Sequence, residues 1–331
     1  MITKMINISK ILCAGIVSLS FAAGLTSCKS GDQDFPDFDY QSCYFAKQYP
    51  VRTVELGNDL YVDLTLDNQH KIQIQAAMGG AYSNRRDVTI DFSVKPALCD
   101  GLTFADGTDV TPMPKEYYDL LGDKIVIPAG QPVGGVEVQL KDAFFDDPLA
   151  VTNHYVIPLY IEQATGVDTV LESKRFVLYA VKYVNKYHAQ YLLNNDLYGA
   201  TVDLTTKGLN TSLFTYPAKD ADGRTYNCEM QLNFDDNGNC TISSNTEGCV
   251  VNGSGRFVEA DETQLVGSRH PDTIYLKFSG TYDGFRPDLD EKGNPKEDGS
   301  GNPILIPVHI DFSEDYVMTM KTRGVKSENF M

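Results

Sequence analysis

Tryptophan is absent from this 331-residue chain, and basic residues are scarce. Lysine and arginine number 28 against 45 aspartates and glutamates, which gives a formal net charge of −17 at pH 7. Nucleic acids and anionic lipid surfaces attract proteins that have a basic face. The composition therefore predicts that the chain binds neither of them, and that any attachment to a membrane needs a different device.

Close pairs of metal-binding or redox-active residues are also missing. The seven cysteines contain no C-x-x-C pair, and the five histidines lack the spacing of a zinc site. The segment "DLDEKGNPKEDG", residues 288–299, begins like a calcium loop, but Lys292 occupies a ligand position and Gly299 replaces the closing glutamate. We therefore predict no metal and no other cofactor, and a hairpin insertion between Tyr282 and Ile304.

Catalytic motifs are equally hard to find. No H-E-x-x-H, G-x-S-x-G or phosphate-binding loop pattern occurs. A glycoside hydrolase would need two carboxylates on opposite sides of a sugar. The conspicuous acids, Asp235-Asp236 and Asp288, Asp290 and Glu291, fall in predicted turns instead. We therefore predict that the chain is not an enzyme and that it has no catalytic residue.

The first residues have the parts of an export signal. Two lysines precede an apolar run from Ile11 to Leu25 that is too short to span a bilayer, and small residues follow it. The tetrad Leu-Thr-Ser-Cys that ends at Cys28 resembles the lipobox of bacterial lipoproteins. This resemblance implies that residues 1–27 are removed as a signal peptide and that Cys28 is lipidated. An ordinary signal peptide that happens to contain a cysteine is the alternative.

Residues 28–40 are acidic and polar, and we expect them to form a flexible tether. The segment resembles the export tag of Bacteroidetes lipoproteins. That resemblance implies a place on the outer membrane, facing the cell exterior and held there by the lipid anchor alone. A solvated spacer without a sorting function is the alternative.

After the tether, the hydrophobic pattern has a period of two. In "RRDVTIDFSV", Val88, Ile90, Phe92 and Val94 alternate with polar residues, as in a strand with one buried face. Similar segments lie on both sides of it, separated by Gly, Pro and Asp. We therefore predict an all-β chain in which residues 41–184 form an antiparallel sandwich.

Two segments interrupt this pattern. "PKEYYDLLGD" is predicted to form one helical turn that Pro114 can begin and Gly122 can end. In residues 184–199, Tyr187 and Tyr191 would share one face of a second helical segment. Strands then resume, and a second domain is predicted over residues 185–331, where five to eight strands would suit a barrel or a second sandwich.

The second domain contains a strong hairpin signal. A two-residue type I′ turn at Asn237-Gly238 would set the register of the strands on either side of it. In that register Cys228 and Cys249 are diagonal neighbours, while Cys240 lies too far from Cys228 for a disulfide. Any bridge in this domain is therefore predicted to join Cys228 and Cys249, and Cys240 is predicted to be free.

Several short motifs occur in an order that resembles a known family. They are Tyr44-Phe45, Gly79-Gly80, Arg86-Asp87-Val88, Tyr117-Tyr118, "IVIPAG" and "YVIPLYI". Over residues 44–161 they resemble domain of unknown function 1735, which implies an immunoglobulin-like sandwich at the N-terminus of a Bacteroidetes surface lipoprotein. The second domain, with its closing "VMTMKTRGV", resembles domain of unknown function 4361, which implies a lipocalin-like barrel.

The resemblance implies a non-catalytic cell-surface lipoprotein that binds polysaccharide or oligosaccharide. It would belong to a polysaccharide-utilisation system and act with an outer-membrane glycan importer. Sugars stack their C–H faces on exposed rings, while amides and carboxylates hold their hydroxyls. The candidate rings, all in predicted loops, are Tyr216, Tyr226, Tyr282 and Phe285. Packing in the core is the alternative for each ring, and the absence of tryptophan weakens the glycan hypothesis.

Two other functions stay open. A structural or adhesive subunit of fimbrial type would also be a lipidated chain of two β domains. Such a subunit should carry an arginine-centred processing site before its first strand, but Arg52 falls inside the first predicted domain. A small glycoside hydrolase is the remaining alternative, and the missing motifs make it less favoured.

Overall fold

Residues 40–59, 62–80, 84–194, 200–260, 271–323 and 330 are described in the computed structural model of the chain. Strands account for 57% of the residues and helices for 8%, so the prediction of an all-β chain is confirmed. The predicted signal peptide, Cys28 and the tether up to residue 39 lie outside the described residues. Within the described ranges, no helix has both the length and the apolar character needed to cross a membrane.

The strands between Ser42 and Val184 form two sheets that share one core. They are β1 (Ser42–Tyr44), β2 (Val51–Glu55), β3 (Lys71–Gly79), β4 (Val88–Val94), β5 (Thr111–Pro112), β6 (Tyr118–Leu120), β7 (Lys124–Ile127), β8 (Val133–Leu140), β9 (Tyr155–Thr165), β10 (Thr169–Val170) and β11 (Phe176–Val184). One sheet has the order β10-β1-β3-β8-β6, and the other has β2-β11-β9-β4-β7 with β5 beside β9. Ile74 of the first sheet and Val88 and Ile90 of the second are buried in the shared core, as the alternation in β4 predicts.

Short helical turns lie between these strands. They are α1 (Thr65–Asn68), α2 (Asp142–Phe145) and 3₁₀ turns at Pro96–Cys99, Lys115–Tyr117, Pro148–Val151 and Glu172–Lys174. The helical turn predicted to begin at Pro114 is present as the 3₁₀ turn Lys115–Tyr117, but its predicted end at Gly122 is wrong, because β6 follows that turn at once. Tyr118 of β6 pairs with Leu140 of β8 and is buried in the sandwich core. This tertiary pairing overrides the local preference for a helix.

The strands after Asn185 close into a barrel, in which β19 pairs back onto β12. They are β12 (Ala189–Leu193), β13 (Thr201–Gly208), β14 (Thr211–Lys219), β15 (Thr225–Phe234), β16 (Asn239–Ser244), β17 (Cys249–Val258), β18 (Thr273–Pro287) and β19 (Leu305–Thr322). A barrel is one of the two architectures that the sequence predicts for this part of the chain. Apolar side chains such as Met230, Leu232 and Ile274 are fully buried inside it.

The helical segment predicted in residues 184–199 is wrong. Strand β12 occupies part of this segment, and residues 195–199 lie outside the described part of the chain. Tyr187 and Tyr191 are both buried in the barrel, where the ring of Tyr187 stacks on that of Phe234 with 3.7 Å between centroids. A spacing of four residues suits one face of a strand as well as one face of a helix, so the pattern was compatible with both.

The turn between β15 and β16 also differs from its prediction. The carboxylate of Asp235 accepts a hydrogen bond from the backbone N–H of Asn237 at 2.9 Å, and Gly238 has a left-handed φ of 79°. This side-chain contact makes a wider turn than the predicted two-residue one. As a result Cys240 lies opposite Phe234, one position away from the predicted register.

All five cysteines in the described ranges are buried free thiols. The thiol of Cys228 donates a hydrogen bond to the carbonyl of Tyr226 at 3.9 Å. Burial, and then the interaction with the nearby thiol of Cys249, raises the pKa of Cys228 to about 12. These two cysteines are therefore neighbours, as predicted, although the register behind that prediction is shifted by one residue.

One end of the barrel, here called the proximal end, lies against the sandwich. Leu209, in the turn between β13 and β14, packs against the sandwich core. Asn185, which connects the two parts, is 1% exposed. Its side-chain amide donates hydrogen bonds to the carbonyls of Gly208 and Thr211 at 2.8 and 3.1 Å. The connection is therefore held by buried hydrogen bonds.

Residues beyond β19 also return to the sandwich. The guanidinium of Arg323 donates hydrogen bonds to the carbonyls of Leu56 and Asn58. Phe330 is 2% exposed, and its ring centroid lies 4.6 Å from that of Phe104 and 5.4 Å from that of Tyr49. These contacts tie the end of the barrel chain to the first part of the molecule.

Candidate functional site

The opposite end of the barrel, here called the distal end, carries the longest hairpin. Strands β18 and β19 stay paired as far as Pro287 and Leu305, whereas β17 pairs with β18 only up to Tyr282. Residues 283–287 and 305–309 therefore form a two-stranded extension, which we call the ribbon. It lies where the sequence predicts a hairpin insertion.

The inner face of the ribbon closes the distal end. The rings of Tyr282 and Tyr226 approach across the barrel with 5.2 Å between centroids. The guanidinium of Arg286 forms an ion pair at 3.1 Å with Asp222, in the turn between β14 and β15. The hydroxyl of Tyr226 donates a hydrogen bond to Asp220 in the same turn at 3.1 Å. Ring packing and charge therefore fix the ribbon to the barrel.

A cleft lies between β14 and β19 at the distal end. Strand β13 pairs with β14 only up to Leu213, and β12 pairs with β19 only from Met318 onward. Across the gap, the hydroxyl of Tyr216 donates a hydrogen bond to the carboxylate of Glu314 at 2.8 Å. The cleft forms a depression of about 450 Å³. Its lining includes Tyr216, Lys219, Asp311, Phe312, Glu314 and Tyr316.

A second depression, of about 460 Å³, lies on β18 and β19. It is lined by Ser279, Gly280, Thr281, Asp311, Phe312 and Ser313. A Cβ atom on Gly280 would lie 2.2 Å from the carbonyl oxygen of Val250 and 2.8 Å from the ring of Phe312. Glycine is therefore required for this ring to lie against β18. The two depressions meet at Asp311, Phe312 and Ser313, which line both.

His309 lies between two carboxylates on the outer face of this hairpin. Its Nδ1 is 2.6 Å from Oδ1 of Asp283, and its Nε2 is 3.5 Å from Oδ2 of Asp311. The hydrogen bond to Asp283 and the charges of both aspartates raise the pKa of His309 above its usual value of 6.5. A protonated imidazole can donate to both carboxylates, so it holds them in place.

The tyrosine hydroxyls of the cleft stay protonated at neutral pH. Burial, and then the hydrogen bond to Glu314, raises the pKa of Tyr216. Burial and the charge of Glu314 raise the pKa of Tyr316 to about 12. The cleft thus offers neutral hydroxyls, carboxylates and the ammonium group of Lys219 beside aromatic rings. Over the described ranges, no cluster of His, Cys, Asp and Glu is arranged to hold a metal ion.

Of the four rings predicted to bind ligand, only Tyr226 and Tyr282 are brought together. Tyr216 lies in the cleft wall but is only 5% exposed, and Tyr226 and Tyr282 pack beneath the ribbon. Phe285 is 70% exposed and lies on the outer face of the ribbon. The predicted location in loops is wrong for all four, because β14, β15 and β18 continue to the distal end. Because these long strands stay paired, the four rings lie in strands even though nearby glycines and aspartates predict loops.

The residues shared by the two depressions were missed at the level of sequence. Asp311, Phe312 and Ser313 belong to the segment "IPVHIDFSEDYVM", whose alternation predicts a strand. That alternation places Asp311 and Ser313 on the outer face and Phe312 on the inner face. It could have identified the exposed polar pair, but it carries no information about the approach of β14.

Two family models match successive stretches of this chain. A model of N-terminal domains matches residues 38–168, and the model of domain of unknown function 5627 matches residues 159–292. The first match contains the motifs that resemble domain of unknown function 1735. The second match is to a different model from domain of unknown function 4361, and the resemblance to that domain stays a prediction.

A crystal structure of a Bacteroides ovatus protein of unknown function is 35% identical to this chain, with a TM-score of 0.72. The match covers 88% of this chain and 99% of that one. The chain therefore belongs to the same protein family.

Two further structures are similar at lower identity. A Bacteroides ovatus multidomain protein that includes domain of unknown function 1735 is 16% identical, covers 85% of this chain and 94% of its own, and has a TM-score of 0.42. An auxiliary nutrient binding protein from Bacteroides thetaiotaomicron is 13% identical, covers 81% and 90%, and has a TM-score of 0.39. The comparison with curated proteins gives no match.

Proposed function

We propose that this chain is a non-catalytic cell-surface protein that binds glycan where the two depressions meet. The observation that carries the proposal is that Asp311, Phe312 and Ser313 line both depressions, of about 450 and 460 Å³. Ligand sites of roughly 300–1,000 Å³ typically combine apolar surface with a few convergent polar groups. This junction combines both kinds of group at one place.

The chemistry of the junction suits a sugar, which has an apolar C–H face and hydroxyls at its edge. Tyr316 supplies aromatic surface that is only partly buried, whereas the ring of Phe312 is 9% exposed and packs in the barrel core. On the outer face, the carboxylate of Asp311 can accept hydrogen bonds from sugar hydroxyls. In the cleft, the carboxylate of Glu314 can accept such bonds and the ammonium group of Lys219 can donate them. A ligand rich in hydroxyls would therefore find partners for both its face and its edge.

The arrangement of the acids supports binding without catalysis. Asp311 and Glu314 are three residues apart on β19, so their side chains point to opposite faces of the strand. Asp311 is 81% exposed on the outer face, whereas Glu314 accepts the hydrogen bond from Tyr216 in the cleft. Glycoside hydrolysis requires two carboxylates that flank one bond. This pair is not placed to do so.

The proposal includes attachment to the outer membrane, on its exterior face, through lipid on Cys28 alone. The export signal and the lipobox resemblance support it, and the protein would then deliver glycan to an outer-membrane importer. Palmitate labelling of wild type and Cys28→Ala tests the anchor. We expect label and membrane association only in the wild type, and equal labelling of both proteins would contradict the anchor.

A glycan array followed by calorimetry on the purified protein tests the binding site. We expect Asp311→Asn to weaken binding by about tenfold, the size expected when a charged hydrogen-bond partner is lost. Asp236→Asn is the matched control, because Asp236 is exposed in the turn between β15 and β16 at the proximal end. No binding to any glycan by the wild type would refute the proposed function.

A structural or adhesive role is the second candidate, and one edge of β19 favours it. Among the described strands, only β18 pairs with residues 305–316 of β19, while Val317 is hydrogen-bonded to Asn194. Such an edge can accept a strand from another chain. Self-association of the wild type without glycan binding would support this role instead.

A further inference from the structure

The outer face of β18 and β19 forms a continuous strip that extends from the depressions onto the ribbon. The residues on it lie directly opposite each other in the register. The pairs are Ser279↔Ser313, Thr281↔Asp311, Asp283↔His309 and Phe285↔Pro307. Side chains opposite each other in an antiparallel pair point to the same face. The contacts of His309 with both Asp283 and Asp311 agree with this.

The strip is longer than one sugar ring. From Ser279 to Phe285 it covers six steps along the strand, or roughly 20 Å at about 3.3 Å per residue. Its first part carries hydroxyls and carboxylates, and its far end is apolar. A ligand that occupied the whole strip would have to be a chain of several sugars.

The far end is an apolar platform on an otherwise polar strip. Phe285 is 70% exposed, Leu305 is 55% exposed, and Pro307, which pairs with Phe285, is also exposed. Single exposed apolar residues are common on protein surfaces, but three neighbours on one face form a patch. The ring of Phe285 has no polar group that can hydrogen-bond to water. Stacking this ring against the face of a sugar would therefore remove apolar surface from solvent.

The strip is held in place before any ligand arrives. Arg286 is tied to Asp222, and Tyr282 packs on Tyr226 beneath the ribbon. His309 lies between its two aspartates on the strip itself. A site that is already ordered loses less conformational entropy on binding.

We infer that the ligand is an extended oligosaccharide or polysaccharide chain that runs from the depressions along this strip to Phe285, which forms a distal stacking subsite. The inference rests on the proposed function and adds the direction and the length of the ligand. Long chains bind through both ends of the strip, and short ones bind through the depressions alone.

The test is calorimetry with a disaccharide and a hexasaccharide of the glycan that the array identifies. We expect Phe285→Ala to weaken hexasaccharide binding by about tenfold, the size of one lost stacking contact, and to leave disaccharide binding unchanged. Asp311→Asn should weaken the binding of both ligands. Tyr275→Ala is the matched control. Tyr275 is 49% exposed on the same face of β18, on the side of the depressions that faces away from the ribbon.

Three results would overturn the inference while leaving the proposed function intact. The first is an unchanged affinity of Phe285→Ala for the hexasaccharide. The second is a loss of affinity in Phe285→Ala that is equal for both ligands. The third is a loss of hexasaccharide affinity in Tyr275→Ala as large as that in Phe285→Ala. If the wild type binds neither ligand, both the inference and the proposed function fail. Thermal melting of each variant confirms that an exposed substitution has left the fold intact.

Discussion

The proximal and distal ends of the barrel use their polar groups in different ways. At the proximal end, the amide of Asn185 is buried and is hydrogen-bonded to backbone groups and to the hydroxyl of Ser212. At the distal end, the carboxylate of Asp311 is 81% exposed and has only a 3.5 Å contact with His309. The proximal end therefore stabilises the connection between the two parts of the chain, whereas the distal end leaves the carboxylate of Asp311 exposed to solvent.

This difference separates the residues that should set stability from those of the proposed binding site within one barrel. Changes at the proximal end should lower stability, because they leave buried polar groups without partners. Changes on the outer face of the distal end should alter binding and leave stability nearly unchanged. Residues that support the depressions from below should affect both properties.

The largest effect is expected for Asn185→Ala. The carbonyls of Gly208 and Thr211 would lose their amide donor in a buried site, so we expect the free energy of unfolding to fall by about 3 kcal/mol. Urea denaturation measures it. Asn245→Ala is the control, because Asn245 is exposed at the distal end. A loss no larger than that of the control would contradict the assigned role of the proximal end.

A smaller effect, on both stability and binding, is expected for Gly280→Ala. The added Cβ would meet the Val250 carbonyl and the Phe312 ring, so we expect a loss of about 2 kcal/mol in stability and weaker glycan binding. Gly299→Ala is the control, since no atom lies within 4 Å of a Cβ built there. Stability and binding that match those of the control would argue against a supporting role for Gly280.

The smallest effect is expected for the protonation of His309. Its pKa is raised by its carboxylate neighbours, so its contribution to stability is complete below the usual pKa of 6.5 and is lost as the pH rises through the folded value. NMR titration should give a pKa above 6.5 in the wild type and a lower one in Asp283→Asn. Titration of wild-type His309 at or below 6.5 would contradict the two-carboxylate site.

The sequence predicts the sandwich better than it predicts the details of the barrel. In β4, strict alternation leaves one interpretation, and the buried face is the predicted one. Around Tyr187 and Tyr191, the spacing fits helix and strand equally, and closure of the barrel decides between them. At Asp235, hydrogen bonds from Asn237 and Asn239 to the side-chain carboxylate accompany a one-residue shift in the register of the hairpin. Short-range patterns cannot rank such alternatives, because their energies depend on distant partners.

The candidate site lies still further from what the sequence reveals. Tyr216 and Glu314 are separated by 98 residues and meet only because the barrel closes. Phe285 could be selected as an exposed ring, but its position relative to Asp311 depends on a strand pair that extends beyond β17. The composition indicates which kinds of side chain, aromatic rings and carboxylates, could bind a ligand. The topology determines which of these side chains share a surface.

The buried position of Phe330 has a consequence for the order of events during synthesis. Its ring fills a cluster built from residues near Cys99, Val156 and Leu178 in the sandwich, yet it follows every strand of the barrel along the chain. That cluster cannot be completed until β19 has left the ribosome. The sandwich can therefore complete its packing only after the whole chain up to Phe330 has been synthesised. By then the barrel can also close.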